Sequence, residues 1–374
     1  MKKVYIIGTG MNGRETLTQQ ALSVINSAGC LIGAQRMLEP FGGLCKPYFS
    51  SWKSSEISDF ILGSPYERYA VLMSGDCGFF SGAEGLLKTL PDSVEVNIVS
   101  GISSPVYFCG KLRIPWQDIP TVNLHGNNTN IVRKAAMHRR CFFLLGGAFG
   151  VREVCSRLCE YGMENITVHI GERLGYPQER IMSGTAEQFT DIETDRLSVM
   201  LTENITPETH MRSGIPDEEF TRGKIPMTKS EVRALIMSKL GIRPADAVWD
   251  IGCGTGSVSV EAALQCPDGT VYSIDVKPEA AELTKHNAVK FRCDNINVRC
   301  GSAPEETAGF PAPDKVFVGG SGGNLDGIVS AALEKNQGAV IIITAVSLET
   351  LHEAEEALSC RGISAEITQI SVTR

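Results

Sequence analysis

The sequence has no block of Lys and Arg, no Cys-x-x-Cys pair, no two histidines at ligand spacing and no apolar run of membrane-spanning length. Each absence removes a class of function. Lys and Arg number 35 against 43 Asp and Glu, a net charge of −8, which argues against a nucleic-acid backbone as partner. The 12 cysteines lie apart, and the closest two, Cys155 and Cys159, have helical spacing. With six scattered histidines, they read as reduced thiols of a cytoplasmic protein, with no zinc site or disulfide framework. Met1-Lys2-Lys3 leads into only four apolar residues before Gly8. That is a buried first strand rather than a signal peptide, and no membrane partner is expected.

At 374 residues, the chain is long enough for two or three domains, each with its own core. Short apolar runs at Val4–Ile7, Ala70–Met73, Val94–Val99, Cys141–Leu145, Thr167–Ile170 and Leu197–Leu201 read as buried strands. They alternate with helical periodicity, the rhythm of an α/β fold with mostly parallel pairing. From Thr206 to Ile225 the period is lost among prolines, glycines and charges. The division predicted is a first domain over 1–205, a linker over 206–223 and a second domain over 224–374. Thr228-Lys229-Ser230-Glu231 has the capping-box pattern, and Val232, Leu235, Ile236 and Leu240 continue it as one helix face. Further strands are expected at Val298–Cys300, Lys315–Val318 and Ala339–Ile343, with a final helix around Leu348–Ser359. The halves share no repeat, so two unrelated α/β domains are fused.

The most informative stretch opens the second domain. The apolar strand through Trp249 ends in Asp250, and Gly252-Cys253-Gly254-Thr255-Gly256 turns into a helix pattern. A second strand, Val271–Ile274, ends in Asp275, placed to accept hydrogen bonds from a ribose. The glycines allow a sharp turn and close approach of a ligand. A carboxylate at Asp250 would repel a pyrophosphate but suits a cofactor with an amino-acid tail and no phosphate. S-adenosylmethionine fits that description better than a dinucleotide does. Gly301-Ser302-Ala303-Pro304 follows the third strand, where an adenine edge would lie. Gly319-Gly320-Ser321-Gly322-Gly323 follows the fourth, facing the reacting methyl group. Thr228 is expected to cap its helix, to touch the cofactor, or both.

These residues resemble the CbiT family, the decarboxylating methyltransferases of corrin-ring synthesis. The match runs from about Gly214 to the C-terminus. It includes Ile215–Phe220, Met227-Thr228-Lys229 with Glu231-Val232-Arg233, the Asp250–Ser257 turn, both later loops and Val346–Thr350. The resemblance implies a Rossmann-like class I methyltransferase fold. It also implies cofactor contacts from Thr228, Asp250, Gly252–Gly256, Asp275 and Ala303, and substrate contacts from Lys229 and Gly319–Gly323. That family's sheet closes with a hairpin; here Ser371–Arg374 is expected to belong to its first strand.

In the first half, Gly8-Thr9-Gly10-Met11-Asn12-Gly13 matches the dinucleotide fingerprint. A ribose would need an acid about 20 residues later, and no Asp or Glu occurs between Glu15 and Glu39. The remaining motifs resemble CbiE, of the tetrapyrrole methylase family. They are Ser74-Gly75-Asp76-Cys77-Gly78-Phe79-Phe80, Gly101-Ile102-Ser103-Ser104, Leu112–Asp118, Leu124-His125-Gly126, Gly171–Gly175 and Glu179-Arg180-Ile181, spanning about residues 2–204. The resemblance implies a tetrapyrrole-methylase fold of two α/β subdomains. Gly75, Asp76, Phe79, Ser103 and Ser104 would bind S-adenosylmethionine, and Gly8 and Gly10 would face the tetrapyrrole. Cys77 and Ser100 replace prolines of that pattern, which removes rigidity but no donor. His125 is a base or a hydrogen-bonded strand-end histidine.

Together the halves resemble a CobL-type fusion, with two S-adenosylmethionine sites per chain and a precorrin as substrate. The family implies methylation at ring carbons 5 and 15, loss of the carbon-12 carboxylate and a homo-oligomer, dimer or tetramer. Two other readings stay open: another large planar substrate, or a second domain that holds cofactor as a scaffold without turnover. No catalytic base is assigned.

Overall fold

A computed structural model describes residues 1–126, 130–209 and 212–373, which form three five-stranded sheets. His210 and Met211 of the expected linker and Arg374 of the expected last strand lie outside the described residues.

The first sheet contains β1 (Lys3–Gly8), β2 (Cys30–Gly33), β3 (Tyr48–Ser50), β4 (Arg68–Met73) and β5 (Glu95–Val99), in the order β3-β2-β4-β1-β5, all parallel. Its central strands are apolar on both faces because helices cover both. Ala21, Val24 and Ile25 of helix Gln19–Ser27 pack on one side. Ile57 and Ile61 of helix Ser54–Gly63, with Ala83 and Leu86 of the next, pack on the other.

The second sheet contains β6 (Thr121–Asn123), β7 (Arg140–Leu144), β8 (Thr167–Glu172), β9 (Arg180–Thr185) and β10 (Ser198–Glu203), in the order β6-β7-β10-β8-β9. Here the expected parallel pairing fails. Only β6 and β7 run parallel, and the other three pairings are antiparallel. The physical reason is connection length: β8 and β9 are joined by a short loop that cannot cross over the sheet.

The third sheet contains β11 (Ala247–Ile251), β12 (Thr270–Asp275), β13 (Ile296–Cys300), β14 (Lys315–Val318) and β15 (Val340–Ile343). Its order is β13-β12-β11-β14-β15, again all parallel. Helices Ser230–Leu240 and Ser257–Gln265 close one face, and Leu325–Lys335 with Leu348–Ser359 close the other. Ile215 and Phe220, from the segment read as linker, are 1% and 4% exposed within this last core. Residues 363–373 form no strand, which corrects the expectation for Ser371–Thr373. Ile367, Ile370 and Val372 stay exposed there, and a segment with no ladder partner is not held extended.

The second and third sheets are joined by buried and half-buried polar contacts. The Asn130 side-chain amide donates to the carbonyls of Pro267 (2.7 Å) and Gly269 (3.0 Å). The Asp294 carboxylate accepts from the main-chain amides of Val132 (2.9 Å) and Arg133 (3.0 Å), while burial pushes its pKa up. Glu208 bridges Arg133 at 2.6 Å and Arg292 at 3.0 Å.

Candidate functional site

Both groups of motif residues gather at the carboxyl ends of parallel strands, where open α/β sheets bind ligands. In the third sheet, the turn after β11 holds Gly252, Gly254 and Gly256 at φ 74°, 58° and 75°, the left-handed region. A Cβ on Gly252 would lie 2.8 Å from the main chain of Gly320, so the two glycine loops touch backbone to backbone. The Asp275 carboxylate ties the turn in place, accepting from Gly254 N at 3.0 Å and Lys277 N at 2.9 Å. Gly301 N donates to the Asp275 carbonyl at 2.9 Å, which brings the Gly301–Ala303 loop alongside. Gly320, Gly322 and Gly323 border open space, and the Ser321 hydroxyl accepts from Gly323 N at 3.3 Å.

Asp250 is fully buried. One oxygen accepts from the Ser259 hydroxyl, which in turn accepts from Ser273 at 2.8 Å. Among the described residues the other oxygen has no hydrogen-bond partner, and neither has the buried hydroxyl of Thr255. Burial raises the Asp250 pKa to about 7, against the lowering effect of the Ser259 hydrogen bond. Cys253 is packed under the turn, within 3.3 Å of the Thr284 hydroxyl, and burial pushes its thiol up strongly. It is therefore a packed thiol and no nucleophile at neutral pH. Two orphaned buried polar atoms beside a turn whose glycines admit no Cβ fit a cofactor with an amino-acid tail.

Thr228 does not cap its helix. The helix begins at Ser230 with Lys229 at the cap position and no side-chain cap bond. Instead the buried Asp217 carboxylate accepts from Ser230 N at 3.0 Å. This tertiary cap displaces the local one because Arg233 fixes Asp217 at 3.0 Å. Arg233 also donates to Glu261 at 2.9 Å and to the carbonyls of Thr228 and Ile215. Glu261 accepts from the main chain of Gly214 and Ile215 at 2.8 and 3.0 Å. Lys229 is largely exposed, with its ammonium 3.5 Å from Asp217. Pro226, just before the Met227-Thr228 step, sets its carbonyl 3.1 Å from where a Gly254 Cβ would be.

The first sheet shows a parallel construction. A Cβ on Gly8 would lie 2.7 Å from Gly101 N and from the Gly75 carbonyl. Gly10 and Gly75 exchange main-chain hydrogen bonds of 3.0 Å. Asp76 accepts from Gly78 N at 2.8 Å and Gly101 N at 2.9 Å, locking the loops after β4 and β5 together. Ser103 is buried at the start of helix Ser104–Leu112. Phe79 packs against Phe142 of the second sheet, with centroids 6.4 Å apart. Cys77 is buried beneath the loop, its thiol 3.6 Å from the carbonyls of Ile6 and Val99 and pushed up to about 11 by burial. His125 is exposed, with Nδ1 2.9 Å from the Asn123 side-chain oxygen.

A family model described as tetrapyrrole (corrin/porphyrin) methylases matches residues 3–190, and one described as precorrin methyltransferase domain matches 218–374. A precorrin-6Y C(5,15)-methyltransferase [decarboxylating] of Sinorhizobium sp is 31% identical over 357 residues, covering 92% of this chain and 84% of that protein. The chain belongs to the precorrin-6Y C(5,15)-methyltransferase family. A probable cobalt-precorrin-6B C(15)-methyltransferase (decarboxylating) of Pyrobaculum calidifontis is 48% identical over 164 residues, covering 43% of this chain and 84% of that one. A crystal structure of precorrin-6y C5,15-methyltransferase from Geobacter metallireducens GS-15 is 39% identical, covering 40% of this chain and 81% of that one, with a TM-score of 0.39.

Sequence reasoning missed how this methyltransferase holds its Thr228 segment. A signal was present: Arg233 sits on the helix stripe of Ile236, Met237 and Leu240, and Glu261 interrupts the apolar run Val258–Leu264. A charge inside an apolar face implies a buried partner.

Proposed function

We propose that this chain methylates precorrin-6Y or 6B, or its cobalt form, at carbons 5 and 15 and decarboxylates the carbon-12 acetate. In this reading, residues 224–374 act at carbon 15 with decarboxylation and residues 1–205 act at carbon 5. The carrying observation is that two separate glycine cradles, Gly252 against Gly320 and Gly8 against Gly101, stand at the ends of two parallel sheets.

Each cradle stands between one S-adenosylmethionine, which supplies an electrophilic methyl group when bound, and the tetrapyrrole. In the second half, Asp250 and the Gly252–Gly256 turn hold the amino-acid tail, Asp275 the ribose, Ala303 the adenine and Thr228 the rim. Lys229 and Gly319–Gly323 face the tetrapyrrole. In the first half, Gly75, Asp76, Phe79, Ser103 and Ser104 hold the cofactor, and Gly8 and Gly10 face the ring. The electron-rich meso carbon of a reduced tetrapyrrole needs no protein nucleophile, which suits sites built largely from main chain. What these residues supply is alignment, worth roughly 7–11 kcal/mol when two reactants are held in attack geometry.

Among the described residues no helix is long and apolar enough to cross a membrane. The reading includes a cytoplasmic setting and a dimer or tetramer, which light scattering at micromolar concentration tests. The function is tested by mass spectrometry of a precorrin pool incubated with the enzyme and labelled S-adenosylmethionine. Two methyl gains and one loss of carbon dioxide are expected; methyl gain on an unrelated planar substrate alone refutes it.

A further inference from the structure

Phe80 is 59% exposed and has a φ of 44°. Both properties are unfavourable. The left-handed region is a true outlier for a bulky residue, and an exposed phenyl ring forgoes its burial energy. A loop free to relax would place glycine or asparagine there. This loop is not free. Asp76 bonds Gly78 and Gly101, Phe79 N bonds the Asp76 carbonyl at 3.2 Å, and the Ser81 hydroxyl bonds the Cys77 carbonyl at 2.6 Å. Phe79 anchors it in the core and meets Phe80 edge-on, with centroids 5.0 Å apart and planes at 78°. The fold thus holds an exposed aromatic ring, in a costly conformation, on the loop that follows β4 and carries Gly75.

The rest of the rim agrees in chemistry. Trp52, directly after β3, is 76% exposed at the same carboxyl end of the sheet. Arg14 follows β1, and Arg36 follows β2, reaching the Tyr176 hydroxyl at 3.2 Å. Aromatic faces interleaved with cations suit a flat conjugated ring carrying carboxylate side chains.

We propose that Phe80 is a substrate-binding residue, whose ring packs on the tetrapyrrole macrocycle during carbon-5 methylation. The inference rests on the reading that residues 1–205 methylate a tetrapyrrole. Strain held at a position with no role in the core is repaid when a ligand covers it.

The test is steady-state methylation of precorrin-7, the carbon-15-methylated and decarboxylated intermediate, by the full chain. Phe80→Gly and Phe80→Asn both accept the left-handed backbone, so their melting temperatures should equal or exceed that of the parent. Their KM for precorrin-7 should rise roughly 2- to 12-fold, the range expected for one aromatic contact, with KM for S-adenosylmethionine unchanged. Phe80→Tyr should restore the parent KM. An unchanged precorrin-7 KM in both variants overturns the proposal, and so does an equal rise in both KM values. A changed mass by light scattering with unchanged KM makes Phe80 a contact between copies and overturns it as well. If the parent enzyme does not methylate precorrin-7, the reading of the first half falls, and this inference with it.

Discussion

Replacing Asp250 with asparagine tests the second cradle most directly. The carboxyl group is fully buried, and its pKa is raised from an ordinary 3.8 to about 7. That displacement corresponds to roughly 4 kcal/mol, at about 1.4 kcal/mol per pH unit. The sign follows from proton binding. Between pH 3.8 and about 7 the unfolded chain has released the proton and the folded one retains it, so this residue makes the free protein less stable as pH rises. Asparagine removes that penalty and still accepts from Ser259, so the variant should melt higher than the parent at pH 8 and equally at pH 4. Cofactor affinity should move oppositely. If the orphaned oxygen meets the ammonium of the amino-acid tail, the ionised form binds, and only the ionised fraction is competent. Affinity for S-adenosylhomocysteine in this half should then rise about tenfold from pH 6 to pH 8. The variant should lose that slope, and its affinity at pH 8 should fall by roughly 10- to 150-fold, the worth of a charge-assisted hydrogen bond. Calorimetry at three pH values measures both. Methylation at carbon 15 should fail while carbon-5 methylation of supplied precorrin-7 continues. A variant that binds as tightly as the parent with the same pH slope refutes the role of the carboxylate. Loss of both methylations in a folded variant refutes the division of labour.

Other outcomes follow from the same geometry. Calorimetry with S-adenosylhomocysteine should give two sites per chain, with Asp275→Ala removing one and Asp76→Ala the other; a single site in the parent would contradict this. Arg233→Met leaves Glu261 buried without its cation and Asp217 with only the exposed Lys229, and should cost about 3–5 kcal/mol, read by urea unfolding of the second half. Gly252→Ala brings a methyl group within 2.8 Å of the Gly320 main chain at a φ of 74°, and should abolish cofactor binding there while the first site still titrates.

The parts of the fold legible in the sequence were those that local chemistry encodes. Buried parallel strands such as Ala70–Met73 show as apolar runs, and the helix Leu348–Ser359 shows by its period. The turn at Gly252–Gly256 is legible because glycine identity itself reports positive φ. What escaped was set by partners distant in sequence. Cys30–Gly33 and Tyr48–Ser50 are too short to show a period, and Arg180–Thr185 is a half-exposed edge strand without alternation. The Thr228 capping pattern was locally correct, yet Asp217 took the position through Arg233, a contact that no spacing rule reveals.

The joint between the second and third sheets has a consequence for how the chain can change over time. Asn130 and Asp294 each address the main chain of the opposite side, two carbonyls in one case and two amides in the other. A contact made to backbone is indifferent to the side chain carried at that position. Sequence drift at residue 132 or 267 to anything but a residue lacking the main-chain group therefore leaves these bonds intact wherever the backbone path is kept, whereas a change at Asn130 strands two buried carbonyls and one at Asp294 leaves two partly buried amides without their acceptor. Part of the information that keeps the halves docked therefore sits in two side chains whose partners tolerate substitution, while the ion pairs of Glu208 and of Lys134 with Asp268 need both members kept.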